Sequence, residues 1–140
     1  MMRERCSMAP YRIVLANDHM PLREGLKRIL RERTDLEITG EAENRPQLLN
    51  CLSLRELAPH MVILDPSTPD FRGTEAIRQI KAIHPDVKVL ILSMHKGKEY
   101  LSKAISNGAE GYLLKEDVDK ELLPAIEVIR QGRIYVPPFP

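Results

Sequence analysis

Cysteine is scarce: Cys6 and Cys51 are the only two, far apart in sequence, and their spacing suits neither a metal site nor a disulfide framework. This scarcity points to a reducing compartment and leaves the two thiols as a tail residue and a small, buried apolar side chain. An excess of one charge is also missing, since 21 lysines and arginines meet 20 aspartates and glutamates for a net charge of +1. With a pI of about 7.8, the chain lacks the basic footprint of a nucleic-acid binder and is not expected to bind DNA by itself. No apolar run reaches the length of a membrane span, and Met1 to Pro10, with Arg3, Glu4 and Arg5, has no apolar stretch behind its charges. A soluble, cytoplasmic protein with no membrane partner is expected.

The 140 residues are 43% hydrophobic, enough to bury one core, so a single domain is expected. Tyr11-Arg12-Ile13-Val14-Leu15-Ala16 is short, rich in branched apolar side chains and stopped by the polar Asn17-Asp18-His19, as a buried strand would be. Beyond Pro21, Leu22, Leu26, Ile29 and Leu30 recur at helical spacing among charged neighbours, which sets one helix face on a core. The alternation continues. Leu36 to Ala42 is expected as strand, Gln47 to Leu57 as helix, and Met61 to Leu64 as a wholly apolar strand ending at Asp65. Gly73 opens a helix bearing Ile77, Ile80 and Ile83, and Val87 to Leu92 is the next strand. Glu99 to Ser106 is a helix closed by Asn107-Gly108, Gly111 to Leu114 a strand, and Asp119 to Gln131 the last helix. Pro124 falls inside that helix, which must therefore start late or bend.

Strands separated by helices pair in parallel, because each crossover needs a helix, and right-handed crossovers spread the helices over both faces. The expected fold is α/β: a doubly wound, five-stranded parallel sheet with five helices in three layers, its most apolar strands central. Ligands of such sheets sit where the carboxyl ends of the strands fan apart. The residues just past the strands are Asn17 and Asp18, Asp65, Ser93 and Lys115. Each alone has an ordinary explanation as a helix cap, a turn former or a solvated charge. As a set they form a candidate site. Two neighbouring carboxylates repel unless a cation sits between them, and oxygen-only donors with positions left for water suit magnesium. Ser93 and Lys115 add a hydrogen-bond donor and a positive charge, a composition suited to holding a phosphoryl group.

Over Tyr11 to Val136 the chain resembles the receiver domains of two-component response regulators, above all the NarL/FixJ type that precedes a LuxR-type helix-turn-helix. The resemblance is carried by Ile13 to His19, Arg23-Glu24-Gly25-Leu26, Gly40-Glu41-Ala42, Val62 to Asp65, Pro69, Gly73, Val89 to His95 and Gly108 to Lys115. It implies a flavodoxin-like, CheY-like architecture that accepts a phosphoryl group on Asp65 from a sensor histidine kinase, as a switch and not as an enzyme. It implies that Asp18, Asp65 and the backbone carbonyl of Ser67 bind Mg2+, and that Ser93 and Lys115 contact the phosphoryl oxygens. Ser93 and Tyr112 would form the switch, Ser93 moving inward on phosphorylation and the Tyr112 ring filling the vacated space. A homodimer formed on phosphorylation is the implied readout, with DNA reached only through a helix-turn-helix domain outside this chain. Residues 11–131 would be the receiver, 1–10 a disordered tail and 132–140 the start of a linker.

Two departures stand out. Asn17 takes the place of the first of the family's two acids, removing one negative charge near the metal, and Pro66-Ser67-Thr68 replaces the usual apolar-polar-methionine run, although Pro69 and Gly73 keep their places. They keep open an alternative, a degenerate receiver that serves as a protein-interaction module without phosphorylation. A haloacid-dehalogenase-type phosphatase would need a second acid where this chain has Ser67. A flavodoxin-like cofactor binder would need a Ser/Thr/Gly-rich first loop, which Asn17-Asp18-His19 is not. His19, His60, His84 and His95 are scattered without zinc-binding pairing, and His95 at the rim is most simply a solvated side chain.

Overall fold

The computed structural model describes residues 10–53 and 58–137. The expected tail through residue 9 with Cys6, the expected helix end at residues 54–57, and residues 138–140 lie outside the described residues. Strands β1 (Tyr11–Ala16), β2 (Leu36–Ala42), β3 (Met61–Leu64), β4 (Lys88–Ser93) and β5 (Gly111–Leu114) alternate with five helices. These are α1 (Met20–Leu30), α2 (Arg45–Ser53), α3 (Glu75–Ile83), α4 (Lys98–Ser106) and α5 (Val118–Arg130). The strands pair in parallel in the order β2-β1-β3-β4-β5, the doubly wound sheet expected.

Side chains alternate across a strand, so consecutive residues of β1 feed two different cores. Ile13 and Leu15 pack with Leu26, Ile29 and Leu30 of α1 and Leu122, Ile126 and Ile129 of α5, while Val14 and Ala16 pack with Leu48, Leu52, Ile77 and Ile80 of α2 and α3. The all-buried β3 lies at the middle of the sheet. Each fully buried Leu or Ile contributes about 1.5–3 kcal/mol, so packing against the sheet, more than intrinsic propensity, holds these short helices. Among the described residues no helix is long and apolar enough to cross a membrane.

Ile77 and Ile80 are buried as expected, but Ile83 is 44% exposed. Six residues past Ile77, it has turned roughly 120° off the buried stripe. Helix α5 does not start late: Pro124 lies inside it, on the exposed side, so the carbonyl one turn back that loses its intrahelical partner faces the solvent side of the helix.

Past α5, Gly132 at φ 87° turns the chain back, a conformation that glycine adopts without strain. Tyr135 then lies along the outer edge of β5, bridged to Gly111. Its N–H donates to the Glu110 carbonyl and its carbonyl accepts from the Tyr112 N–H, both at 3.0 Å, while its hydroxyl donates to Glu121 Oε1 at 2.8 Å. Pro137 is buried. Packing thus continues beyond residue 131, where a linker was expected to begin.

The amino ends of the strands carry a stack of their own. The Tyr11 ring stacks on His60 with centroids 4.9 Å apart, and the Arg130 guanidinium lies 4.5 Å from the Tyr11 ring while donating to Asp35 at 2.7 Å. His60 Nδ1 accepts from the Arg12 backbone N–H at 2.8 Å. Burial, with the charges of Arg12 and Arg130, holds the His60 imidazole below its ordinary value of 6.5. The unfolded chain therefore binds more protons than the folded one, and stability drops as pH falls below 6.5. We expect the urea midpoint to fall between about pH 7.5 and about pH 5.5, and to fall less in His60→Asn, whose Oδ1 is able to accept the Arg12 bond. Identical pH profiles in the two proteins would assign the loss to other groups.

Candidate functional site

Ala16 faces Leu64 across β1 and β3, and the Asp65 N–H donates to the Ala16 carbonyl at 3.0 Å. That register sets Asn17 and Asp18 beside Asp65 at the carboxyl rim. From there the chain runs to opposite sides of the sheet, opening the crevice in which doubly wound folds bind ligands. Ser93 and Leu114 pair at the ends of β4 and β5, so Lys115 emerges at the same rim. Pairing alone thus brings together Asp18, Asp65, Ser93 and Lys115.

Asp65 is 3% exposed, a burial that a carboxylate tolerates only when its oxygens are partnered. Lys115 Nζ stands 2.6 Å from Oδ2, while Oδ1 accepts from the Ser67 N–H at 2.9 Å and from the Ser67 hydroxyl at 2.6 Å. Ser93 is buried, its Oγ accepting from the His95 N–H at 2.9 Å. Beside the pair opens a cleft of about 290 Å³ lined by Ser93, Met94, Leu114, Lys115 and Glu116. Met94 on its lip is 78% exposed.

The first loop divides its duties. Asp18 is exposed, whereas Asn17 is buried, its Oδ1 accepting from the His19 N–H at 2.9 Å. The Asn17 Nδ2 is buried with no partner. Among the described residues no group of three or more His, Cys, Asp or Glu side chains is placed to hold a metal, in keeping with an amide where a third acid would stand. Two carboxylates, Asp18 and Asp65, at neighbouring strand ends offer oxygen donors alone and leave several positions to water; such a set fits magnesium and not zinc.

Tyr112 is wholly buried, with its hydroxyl donating to the His95 carbonyl at 2.8 Å. Tyr100, which sequence reasoning missed, stacks on His95 at 4.5 Å and meets Tyr112 edge-on at 6.2 Å. Burial pushes both tyrosine hydroxyls above their ordinary pKa. Arg23 was missed as well. Its signal lay in the sequence: seven residues before Leu30, it shares the buried stripe of α1.

These features define a class, a small doubly wound α/β domain with an aspartate–lysine pair at its carboxyl rim. A family model described as the response regulator receiver domain matches residues 13–127. The chain belongs to that family and is a receiver domain of a two-component response regulator. The transcriptional regulatory protein DegU of Brevibacillus brevis is 34% identical over 137 residues, which make up 98% of this chain and 57% of DegU. The crystal structure of the non-phosphorylated receiver domain of the stress response regulator RcsB from Escherichia coli has a TM-score of 0.84 at 26% identity, covering 92% of this chain and 99% of that one. A LuxR-family two-component response regulator from Aurantimonas sp. SI85-9A1 has a TM-score of 0.82 at 34% identity, covering 91% of this chain and 89% of that one. The chain therefore spans little more than half the length of DegU.

Removing the lysine from the pair isolates a desolvated carboxylate oxygen. Lys115→Met is expected to lower unfolding free energy by about 1–3 kcal/mol at neutral pH, the cost of leaving a buried polar group without its partner. Urea denaturation measures it, and unchanged stability would mean that water replaces the ammonium without loss.

Proposed function

We propose that Asp65 accepts a phosphoryl group from the phosphohistidine of a sensor histidine kinase and that the domain thereby switches a transcriptional output. The observation that carries this is the Asp65 carboxylate, all but buried at the rim and 2.6 Å from Lys115. In the transfer, an Asp65 oxygen bonds to phosphorus as the P–N bond to the donor imidazole breaks. Lys115 offsets the repulsion between the two anions and remains on a phosphoryl oxygen, while the Ser93 hydroxyl donates to another. Magnesium held by Asp18, Asp65 and the Ser67 carbonyl would supply further positive charge. The domain takes one phosphoryl group and holds it; it is a substrate and a switch, not an enzyme turning over a substrate of its own.

Once Asp65 is phosphorylated, Ser93 exchanges its bond with the His95 N–H for one with the new oxygens, and the loop bearing His95 shifts relative to Tyr112. A few kcal/mol of differential contact is enough to move such a two-state equilibrium. The output we assign is homodimer formation in the cytoplasm, with DNA contacted through a helix-turn-helix domain beyond this chain. DegU, a longer transcriptional regulatory protein, supports that reading. Neither Asn17 nor the Pro66-Ser67-Thr68 loop removes the Asp65–Lys115 pair, so no observation favours the phosphorylation-independent alternative.

Beryllium fluoride with magnesium, a phosphoryl mimic, is expected to raise the thermal midpoint of the wild type and leave Asp65→Asn unmoved. Equal shifts in both proteins would refute the site.

A second expectation concerns charge. In Asn17→Asp, one oxygen keeps the His19 bond and the other replaces the unpartnered Nδ2. A unit charge ~5 Å from a divalent ion, at an effective dielectric of ~40–80, attracts it by roughly 2–3 kcal/mol. Desolvation and repulsion among the carboxylates offset part of this, leaving magnesium bound tighter by about 1–2 kcal/mol, roughly five- to thirtyfold, at some cost to metal-free stability. Magnesium titration at fixed ionic strength, with thermal unfolding in chelator, checks both signs; unchanged affinity would mean that residue 17 does not face the metal.

A further inference from the structure

Arg23 is an arginine in the interior. Its side chain is 6% exposed although α1 has a solvent face to offer it. A guanidinium is costly to bury unless it is partnered, and here each of its three nitrogens donates a hydrogen bond. Nε donates to Glu41 Oε1 at 3.0 Å, Nη2 to Glu43 Oε2 at 2.6 Å and Nη1 to the Asn17 carbonyl at 2.7 Å. Glu41 and Glu43 flank Ala42, whose carbonyl accepts from the Asn17 N–H at 2.9 Å. The backbone N–H of Arg23 donates to the His19 carbonyl at 3.1 Å, and the His19 N–H is taken by Asn17 Oδ1. Both neighbours of Asp18 are therefore fastened, Asn17 to the end of β2 and to the Arg23 guanidinium, and His19 to the first turn of α1 and to Asn17, while Asp18 itself stays exposed.

We propose that Arg23 is a positioning residue for the rim: it fixes the Asn17-Asp18-His19 turn so that the Asp18 carboxylate is presented to a divalent cation beside Asp65. Glu41 and Glu43 balance the guanidinium so that it does not repel that cation. The planar fork of arginine suits three partners in three directions, and the point charge of lysine would not serve them equally. This role rests on reading the rim as a metal-assisted phosphoacceptor site.

The test compares Arg23→Met, Arg23→Lys, the double variant Glu41→Gln with Glu43→Gln, and Ile77→Val as a core change remote from the turn. Three quantities are read: thermal midpoint, amide hydrogen exchange at Asn17 and His19 in metal-free protein, and Mn2+ affinity by electron paramagnetic resonance. Arg23→Met should weaken Mn2+ binding about 10- to 100-fold, as loss of a residue that orients a metal ligand does, and speed exchange at both amides. Arg23→Lys, which keeps the charge, should fold and fall between Met and wild type. The double glutamine variant should lose Mn2+ affinity with the guanidinium left unbalanced, and Ile77→Val should lose midpoint alone. Wild-type Mn2+ affinity in both Arg23 variants would overturn the proposal, as would an equal loss in Ile77→Val. Failure of the wild type to bind Mn2+ would instead overturn the reading of the rim, and this role with it.

Discussion

One backbone hydrogen bond sets the geometry on which the rest of this protein depends: the Asp65 N–H to the Ala16 carbonyl, the last rung between β1 and β3. A strand has a side-chain period of two, so a slip of one residue would exchange the side chains of β3 between the two cores and turn Asp65 away from its partners. The register is defended from both sides. Val14 and Val62 belong to one core, Ile13 and Ile63 to the other, and both cores would be lost together. With that rung in place, the charged groups of the rim separate into two systems. Asp65 with Lys115 forms one, Arg23 with Glu41 and Glu43 the other, and Asp18 is the exposed acid between them.

Much of this was legible in the sequence, for reasons specific to each element. Met61-Val62-Ile63-Leu64 admits no amphipathic alternative, so a central strand ending at Asp65 followed from four consecutive apolar residues. Asp18, Ser93 and Lys115 could be placed because parallel pairing gathers the residues that follow each strand at one edge. Arg23 was hidden by its type: an arginine among Leu22, Glu24 and Lys27 looks like part of a solvated face, although its spacing to Leu30 puts it on the buried one. Tyr100 was hidden by distance, since its partners His95 and Tyr112 come from other elements. Ile83 erred the other way, an apolar residue that helical phase carries into solvent.

The aromatic side chains give the rim a continuous neighbour. Ser93 holds the His95 N–H, the His95 carbonyl holds the Tyr112 hydroxyl, and Tyr100 covers both rings. These contacts run without a break from Ser93 to Tyr112 and, through the Tyr112 N–H, to Tyr135, and the switch proposed above would act along them. Each link is a hydrogen bond or a ring contact.

Tyr135 also changes what counts as the edge of this molecule. An uncovered strand edge offers bare N–H and carbonyl groups as a template for another chain, and proteins keep such edges short, charged or covered. Here the return of the chain at Gly132 seals the β5 edge with its own backbone, while β2 at the other edge carries Glu37 and Glu41. A domain cut at Gln131 would strip that seal from Glu110 and Tyr112 and leave a sticky border, prone to self-association for reasons unrelated to signalling. Cut after Pro137, the same domain would keep its border closed.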